Sequence, residues 1–486
     1  VTYIQKYLSK KGGILSGDLA KYIQKRKGVS NDAARKQIER LRSPIHKLSG
    51  LFSDKKVFVY HSDNYQTEAY YLDLLEAFRT DGKRCFYLLN ALKYHHGLLP
   101  VKELANYTLS PVNAIKGHMK FSTLIELLKR HNLISETING EYRLNSSLTE
   151  HQKPNLRYIQ GIQLSKKLVL QQFEIWSKNI GMVSFKSGKN NNIVGGFQFG
   201  FTAPSYIDGL VGYKDKTKKP GFLVADILIG NTTNDITIGF FTRKIAAIKA
   251  SNPSLKLLPV LLVDGISSEG LNQLKSKGVL VASIKELFGK DYSELLKNLI
   301  NTVTNAGAIL KTEPEKYLNL MSKLTKLVDG KTNNLRGDLF ELAVGFYYSK
   351  YSQSLNIGKR IPVTDSIRTR EIDVFASTEN EIFIVECKGY NYPIDGDYIE
   401  VYISEKIKEI RGWLNLRFPE KRHRFEIWST GGFTDEALKI LKKTKANVKK
   451  FDFDFLDQKA IMGKANQLND KKFKEILRDY YLKEYV

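Results

Sequence analysis

Over the first sixty residues, apolar positions recur at helical spacing and then give way to short strand-like runs. "SGDLAKYIQKRKG" sets Leu19, Tyr22 and Ile23 on one helical face behind a Ser-Gly-Asp entry, and "SNDAARKQIERLR" opens on a Ser-Asn-Asp cap. "HKLSGLFSDKKVFVYHSD" adds two strand-like pieces about a turn. The pattern predicts three helices and a hairpin over residues 1–65. The order recurs over 66–150, from "YYLDLLEAF" to "SETINGEYRLN", whose Asn-Gly marks a hairpin turn. "SSLTEHQKPN" (146–155), polar and holding a proline, reads as a linker.

Beyond residue 160 the periodicity changes to helix, several strands, helix, strand, helix, strand, and it does so twice. "LSKKLVLQQFEIWSKNIG" and "NNLRGDLFELAVGFYYSKY" each carry a Phe-Glu pair, Phe173-Glu174 and Phe340-Glu341. "SYIDGLVG" then parallels "TREIDVFAS", and "GFLVADILIG" parallels "EIFIVECKGY". Matching elements in the same order predict an internal duplication of an α/β domain, the copies spanning 155–305 and 315–486.

Charge narrows the partner. Lys+Arg number 76 against 51 Asp+Glu, a net +25, which suits a polyanion such as double-stranded DNA. Residues 1–50 carry +9 and residues 151–300 carry +10, while 351–400 form an acidic spot of −4. The order of elements in 1–65 resembles a winged helix-turn-helix domain. Its third helix would then offer Arg35, Lys36, Gln37, Arg40 and Arg42 to a DNA groove, and 66–150 would be a second such domain, near neutral and equally suited to spacing or docking. Between the key strands of the first copy, "YKDKTKKPG" would present Lys214, Lys216, Lys218 and Lys219 to the same polyanion. The longest apolar runs, such as "LKLLPVLLV", fall short of a membrane span, and two cysteines, Cys85 and Cys387, build no disulfide framework. The expectation is a soluble, cytoplasmic protein without a membrane partner.

The candidate chemistry lies in the acidic spot. "REIDVFASTENEIFIVECKG" (370–389) places Asp373 in one strand and Glu386 and Lys388 in the next, on one face by period-2 alternation. Carboxylates held this close repel unless a cation joins them. A hard divalent ion fits that need, and Asp373, Glu386 and the backbone carbonyl of Cys387 would form half of its shell, with Glu341 completing it. Lys388 would then position or deprotonate an attacking water. The plainer reading is a Glu386–Lys388 ion pair that only holds the sheet.

The four positions Glu341, Asp373, Glu386 and Lys388 resemble those of the PD-(D/E)xK phosphodiesterases, the restriction-endonuclease-like superfamily, over about residues 330–455. "GDLFELAVG", "EIDVFA" and "VECKG" are similar to its Mrr-like and resolvase-like branches, although Ile372 stands where the superfamily has a proline before the Asp. The resemblance implies an endonuclease of restriction or anti-phage defence type that uses Mg²⁺, with Mn²⁺ as substitute. A single site per chain suggests a homodimer for double-strand cuts. The absence of a phosphate-binding Gly-rich loop leaves any motor to a separate ATPase partner. The rivals are a DNA-binding regulator or architectural protein with an inactive nuclease fold, and a structure-selective repair or junction nuclease. In the first copy the string match sets Asp226 at the Glu386 position and Leu228 at the Lys388 position, and keeps Asp208 and Glu174 as carboxylates. That copy is expected to be degenerate. The fold expected is multi-domain: winged helix-turn-helix domains, then two α/β restriction-endonuclease-like domains.

Overall fold

Local chemistry sets where the N-terminal helices start and stop. In the computed structural model, which describes residues 2–137, 140–149, 154–214, 217–231, 233–327, 333–363 and 368–482, Thr2 and Gln5 cap helix Tyr3–Leu8 reciprocally. Gly28, at φ 63°, ends helix Ser16–Lys27, and the Ser30 hydroxyl caps helix Asn31–Glu39. The strands Ile14–Leu15 and Ile45–Leu48 flank Phe58–His61 in a small antiparallel sheet. Leu8, Leu19, Ile23, Ile38 and Val59 close its core.

The contacts gather the chain into two compact units, Val1–Ile159 with Leu168–Lys290, and Gln160–Lys167 with Asp291–Val486. The four segments drawn from the sequence therefore regroup. Segments 1–65 and 66–150 join most of the first α/β copy, and residues 291–305 go with the second. Residues 66–150 are no free spacer: the apolar core that starts at Leu74, Leu88 and Leu124 continues into Phe199, Val224 and Ile245 of the α/β sheet and its helix. Buried Tyr107 donates its hydroxyl to the Ile227 carbonyl at 2.9 Å. The second hairpin pairs Ile134–Glu136 with Glu141–Leu144 as expected, although Asn139 of its turn lies outside the described residues.

Each unit holds a five-stranded mixed sheet, and the two sheets share one topology. In the first, Lys189–Val194, Phe197–Ser205 and Gly221–Leu228 pair antiparallel in turn, and Leu257–Val263 and Leu280–Ser283 extend the sheet in parallel. In the second, Ser354–Pro362, Thr369–Ser377 and Glu381–Lys388 pair antiparallel, and Arg422–Ser429 and Asp452–Leu456 follow in parallel. Parallel neighbours need crossovers. These contain Asp235–Ser251 in the first sheet and, in the second, a helix running through Gly396–Val401, a π-helical turn Tyr402–Ile407, and Lys408–Arg417. The protein is thus multi-domain, with helices and several sheets. No helix among the described residues is long and apolar enough to cross a membrane.

Candidate active site

Strand pairing assembles the acidic face of the second sheet. Val374 stands opposite Val385, so one step on Asp373 stands opposite Glu386, and cross-strand partners share a face. Lys388 lies on that face and the Cys387 side chain on the other. The Cys387 N–H donates to Asp373 Oδ2 at 2.8 Å, which fixes the Asp373 carboxylate between the strands.

The crossover helix covers this face and supplies two groups that the sequence pattern does not reveal. Tyr398 donates its hydroxyl to Glu386 Oε1 at 2.6 Å, and Lys406 Nζ reaches Oε2 at 2.5 Å. Eight residues of α-helix would turn these two side chains roughly 80° apart at about 3.6 residues per turn. The π-helical turn Tyr402–Ile407 under-winds the helix and returns Lys406 to the face of Tyr398. Lys388 Nζ sits 2.8 Å from Glu386 Oε1. Glu386, only 3% exposed, thus holds both lysines, while Asp373, Lys388 and Lys406 remain half-buried beside it.

Electrostatics separates the two carboxyls. Burial alone would push Glu386 up, but the ammonium groups of Lys406 and Lys388 outweigh it and hold Glu386 at about 2. Asp373 goes the other way, to about 6, because it is desolvated and faces the Glu386 charge. Burial would lower Lys388, yet Glu386 and Asp373 overcome it and push this ammonium well above its ordinary range. The site does not lower the Lys388 pKa, the condition under which it would deprotonate water. The neighbouring carboxylates favour Lys388 as a cation, the form that suits positioning water and offsetting negative charge.

Two carboxylates and a backbone carbonyl are hard oxygen donors of the kind Mg²⁺ accepts, and Mg²⁺ completes its shell with water and substrate phosphate. Asp373 is desolvated and faces the Glu386 charge, so Asp373 and Glu386 are the residues that could hold such an ion. Glu341 lies on helix Asn333–Ser349. Its charge acts on Cys387, whose thiol faces away from Glu386 and is driven up first by burial and then by Asp373 and Glu341. No three His, Cys, Asp or Glu side chains among the described residues are grouped to hold an ion.

The first sheet departs from its string match at one point. Phe201 stands opposite Ala225, so Gly200, not Asp208, faces Asp226 and occupies the Asp373 position. Asp208 lies exposed in a 3-10 turn beyond the strand. Glu174 is engaged within its own helix by Lys178 at 2.6 Å. Asp226 and Leu228 fall at the Glu386 and Lys388 positions as expected. Asp226 is fully buried and paired at 2.5 Å with Lys244 of the crossover helix, also fully buried.

Of the expected DNA contacts, Arg35 and Lys36 lie exposed on helix Asn31–Glu39, whereas Gln37 is half-buried and accepts from the Tyr3 hydroxyl at 3.1 Å. Arg40 is the C-cap and Arg42 lies beyond the helix, donating to the Glu39 and Leu41 carbonyls, so neither belongs to the helix itself. Lys218 and Lys219 are exposed on a separate hairpin strand. Lys216 and the side chain of Lys214 lie outside the described residues.

No known family profile matches the chain, and no curated protein is similar to it. Among solved structures, protein VC1899 from Vibrio cholerae aligns at 11% identity with a TM-score of 0.17, over 45% of this chain and 54% of that one. The chain thus spans about half the length of that structure, and so weak a likeness carries no argument about fold or activity.

Proposed function

We propose that the second α/β domain is a metal-dependent phosphodiesterase that cuts DNA, held on its substrate by the basic N-terminal domain, which we read as a winged helix. The observation that carries this reading is the convergence of Asp373, Glu386 and Lys388 on one face of adjacent strands at the point where antiparallel pairing turns to parallel. Asp373 and Glu386 would hold a divalent ion, whose contribution is to polarise the scissile phosphodiester and its attacking water. Lys388 orients that water and offsets charge on the phosphoryl oxygens. Lys406 keeps Glu386 ionised and aimed. The exposed Lys218 and Lys219, with Arg35 and Lys36, supply cations for the backbone phosphates.

The restriction-type reading, the homodimer and a separate motor belong to this proposal as its outer layer. A second reading, a DNA-binding protein with an inactive nuclease fold, draws on one observation: both oxygens of Glu386 are already engaged, by Lys388, Tyr398 and Lys406. Incubation with plasmid and branched DNA, with and without Mg²⁺, separates the readings. Cleavage that requires Mg²⁺ and disappears in Lys388→Ala, with DNA affinity retained, supports the nuclease. Cleavage unaffected by Lys388→Ala overturns the site, and DNA binding without any cleavage favours the inactive fold.

A further inference from the structure

Away from the strand carboxylates, the first unit contains a half-open cleft of about 440 Å³. Four parts of the unit meet there: the turn between helices Glu68–Asp81 and Lys83–Tyr94, the loop around Leu51, the stretch carrying Leu109, Gly117 and His118, and helix Asp235–Ser251. Lys83, Arg84 and Arg243 line it. Its one acid, Asp81, is already neutralised by Lys56. Among the described residues Lys83 and Arg84 make no ion pair. Lys83 and Arg243 are exposed and Arg84 is half-buried, so solvent screens part of the repulsion among these three cations, and an anion in the cleft would relieve the rest.

One of these cations is held in place. Arg243 donates from Nε to the Tyr87 hydroxyl at 3.1 Å, and its guanidinium lies 5.6 Å from the centre of the Tyr87 ring. Gly239, one turn earlier on the same helix, makes room for that ring: a Cβ there would come within 2.3 Å of it. The remaining guanidinium N–H groups of Arg243 are left for another acceptor. Leu51, Leu109 and Ala247 form apolar wall beside the cations.

We propose that this cleft is a phosphate-recognition site that takes a small phosphorylated ligand of nucleotide size. The planar forks of two arginines match phosphate oxygens two at a time, Lys83 adds a point charge, and the volume falls within the usual range of roughly 300–1,000 Å³ for small-molecule sites. The apolar wall gives the non-phosphate part of the ligand a place to lie. The site is separate from the proposed phosphodiesterase centre and does not depend on it.

The test uses the full chain with inorganic pyrophosphate and ATP as probes, followed by titration calorimetry at fixed salt. Saturable binding is expected, weakened at least tenfold by Lys83→Ala/Arg84→Ala and by Arg243→Gln, and unchanged in Lys275→Ala/Lys277→Ala, two exposed lysines outside the cleft. Because DNA also presents phosphates, the salt dependence of DNA binding is measured in parallel. A slope lowered by about 1.8 in the Lys83/Arg84 variant, with no pyrophosphate or ATP binding, assigns the phosphate to the DNA backbone and overturns the small ligand. Binding that survives both cleft variants, or absence of binding with an unchanged slope, overturns the site altogether. Arg243→Lys keeps the charge but loses the fork, so it distinguishes recognition from misfolding: its circular dichroism stays that of the wild type while affinity for the probes drops.

Discussion

Replacing Lys406 by Met removes one of the two cations that hold Glu386. Glu386 is 3% exposed and the Lys406 side chain 19%. Truncating one partner of a buried pair costs about 3–5 kcal/mol, mostly because the other charge is stranded. Here Lys388 and Tyr398 still bond Glu386, and Lys406 is partly solvated, so the expected loss is roughly 2–3 kcal/mol. The assay is built into the site. Cys387, 6% exposed, lies between Glu386 and Lys388, and the other cysteine, Cys85, is fully buried in the first unit. Under native conditions with fast reclosing, alkylation of each thiol reports the opening of its own surroundings. A loss of that size speeds Cys387 labelling by roughly 30- to 150-fold, since about 1.4 kcal/mol is a factor of ten, and leaves Cys85 unchanged. In Lys406→Met/Glu386→Gln the stranded charge is gone, so labelling falls back well below that of the single variant. A rise under threefold, or an equal rise at Cys85, would refute the argument that Lys406 is what steadies Glu386.

Two further outcomes follow from the same electrostatics. Asp373 has a folded pKa of about 6, above its ordinary 3.8, so its contribution to stability is fully present below about pH 4 and is lost as pH rises through about 6; Asp373→Asn, which still accepts from the Cys387 N–H, is therefore expected to be more resistant than wild type to denaturant at pH 7–8 and equal to it near pH 4, while losing cleavage. In the first unit, Lys244→Met strands the fully buried Asp226 and should destabilise that unit by about 3–5 kcal/mol; hydrogen exchange should quicken in strand Gly221–Leu228 and not in Glu381–Lys388, with the cleavage rate per folded molecule kept.

The difference between what the sequence discloses and what it hides follows from periodicity. Strand side chains alternate with a period of two, and a short polar turn fixes hairpin register, so Asp373, Glu386 and Lys388 can be placed on one face from their spacing. Lys406 and Tyr398 cannot, because the α-helical period sends them to different faces and only the π-helical turn reunites them. Asp208 is misplaced for a related reason: the matching Ile-Asp dipeptides pull the two copies into alignment, whereas in the first copy a separate hairpin, Gly212–Lys214 with Thr217–Lys219, is inserted between the two strands, and the register sets Gly200 opposite Asp226. Once the registers are superposed, both sheets pair a strand carboxylate with a lysine from the following helix. The surroundings of the two lysines differ. Lys244 spends its three N–H donors on Asp226, the Asn106 carbonyl and the Gln198 carbonyl, in full burial against the Phe199 ring. It is sealed, and it ties residues 66–150 to the sheet. Lys406 has Glu386 as its only hydrogen-bond acceptor among the described residues and keeps a solvent-facing edge. A cation with donors to spare at the mouth of a carboxylate pair can meet an incoming phosphate; a cation with none left can only hold the fold. The same pair of residue types thus serves as a sealed joint in one unit and keeps a partly exposed lysine in the other.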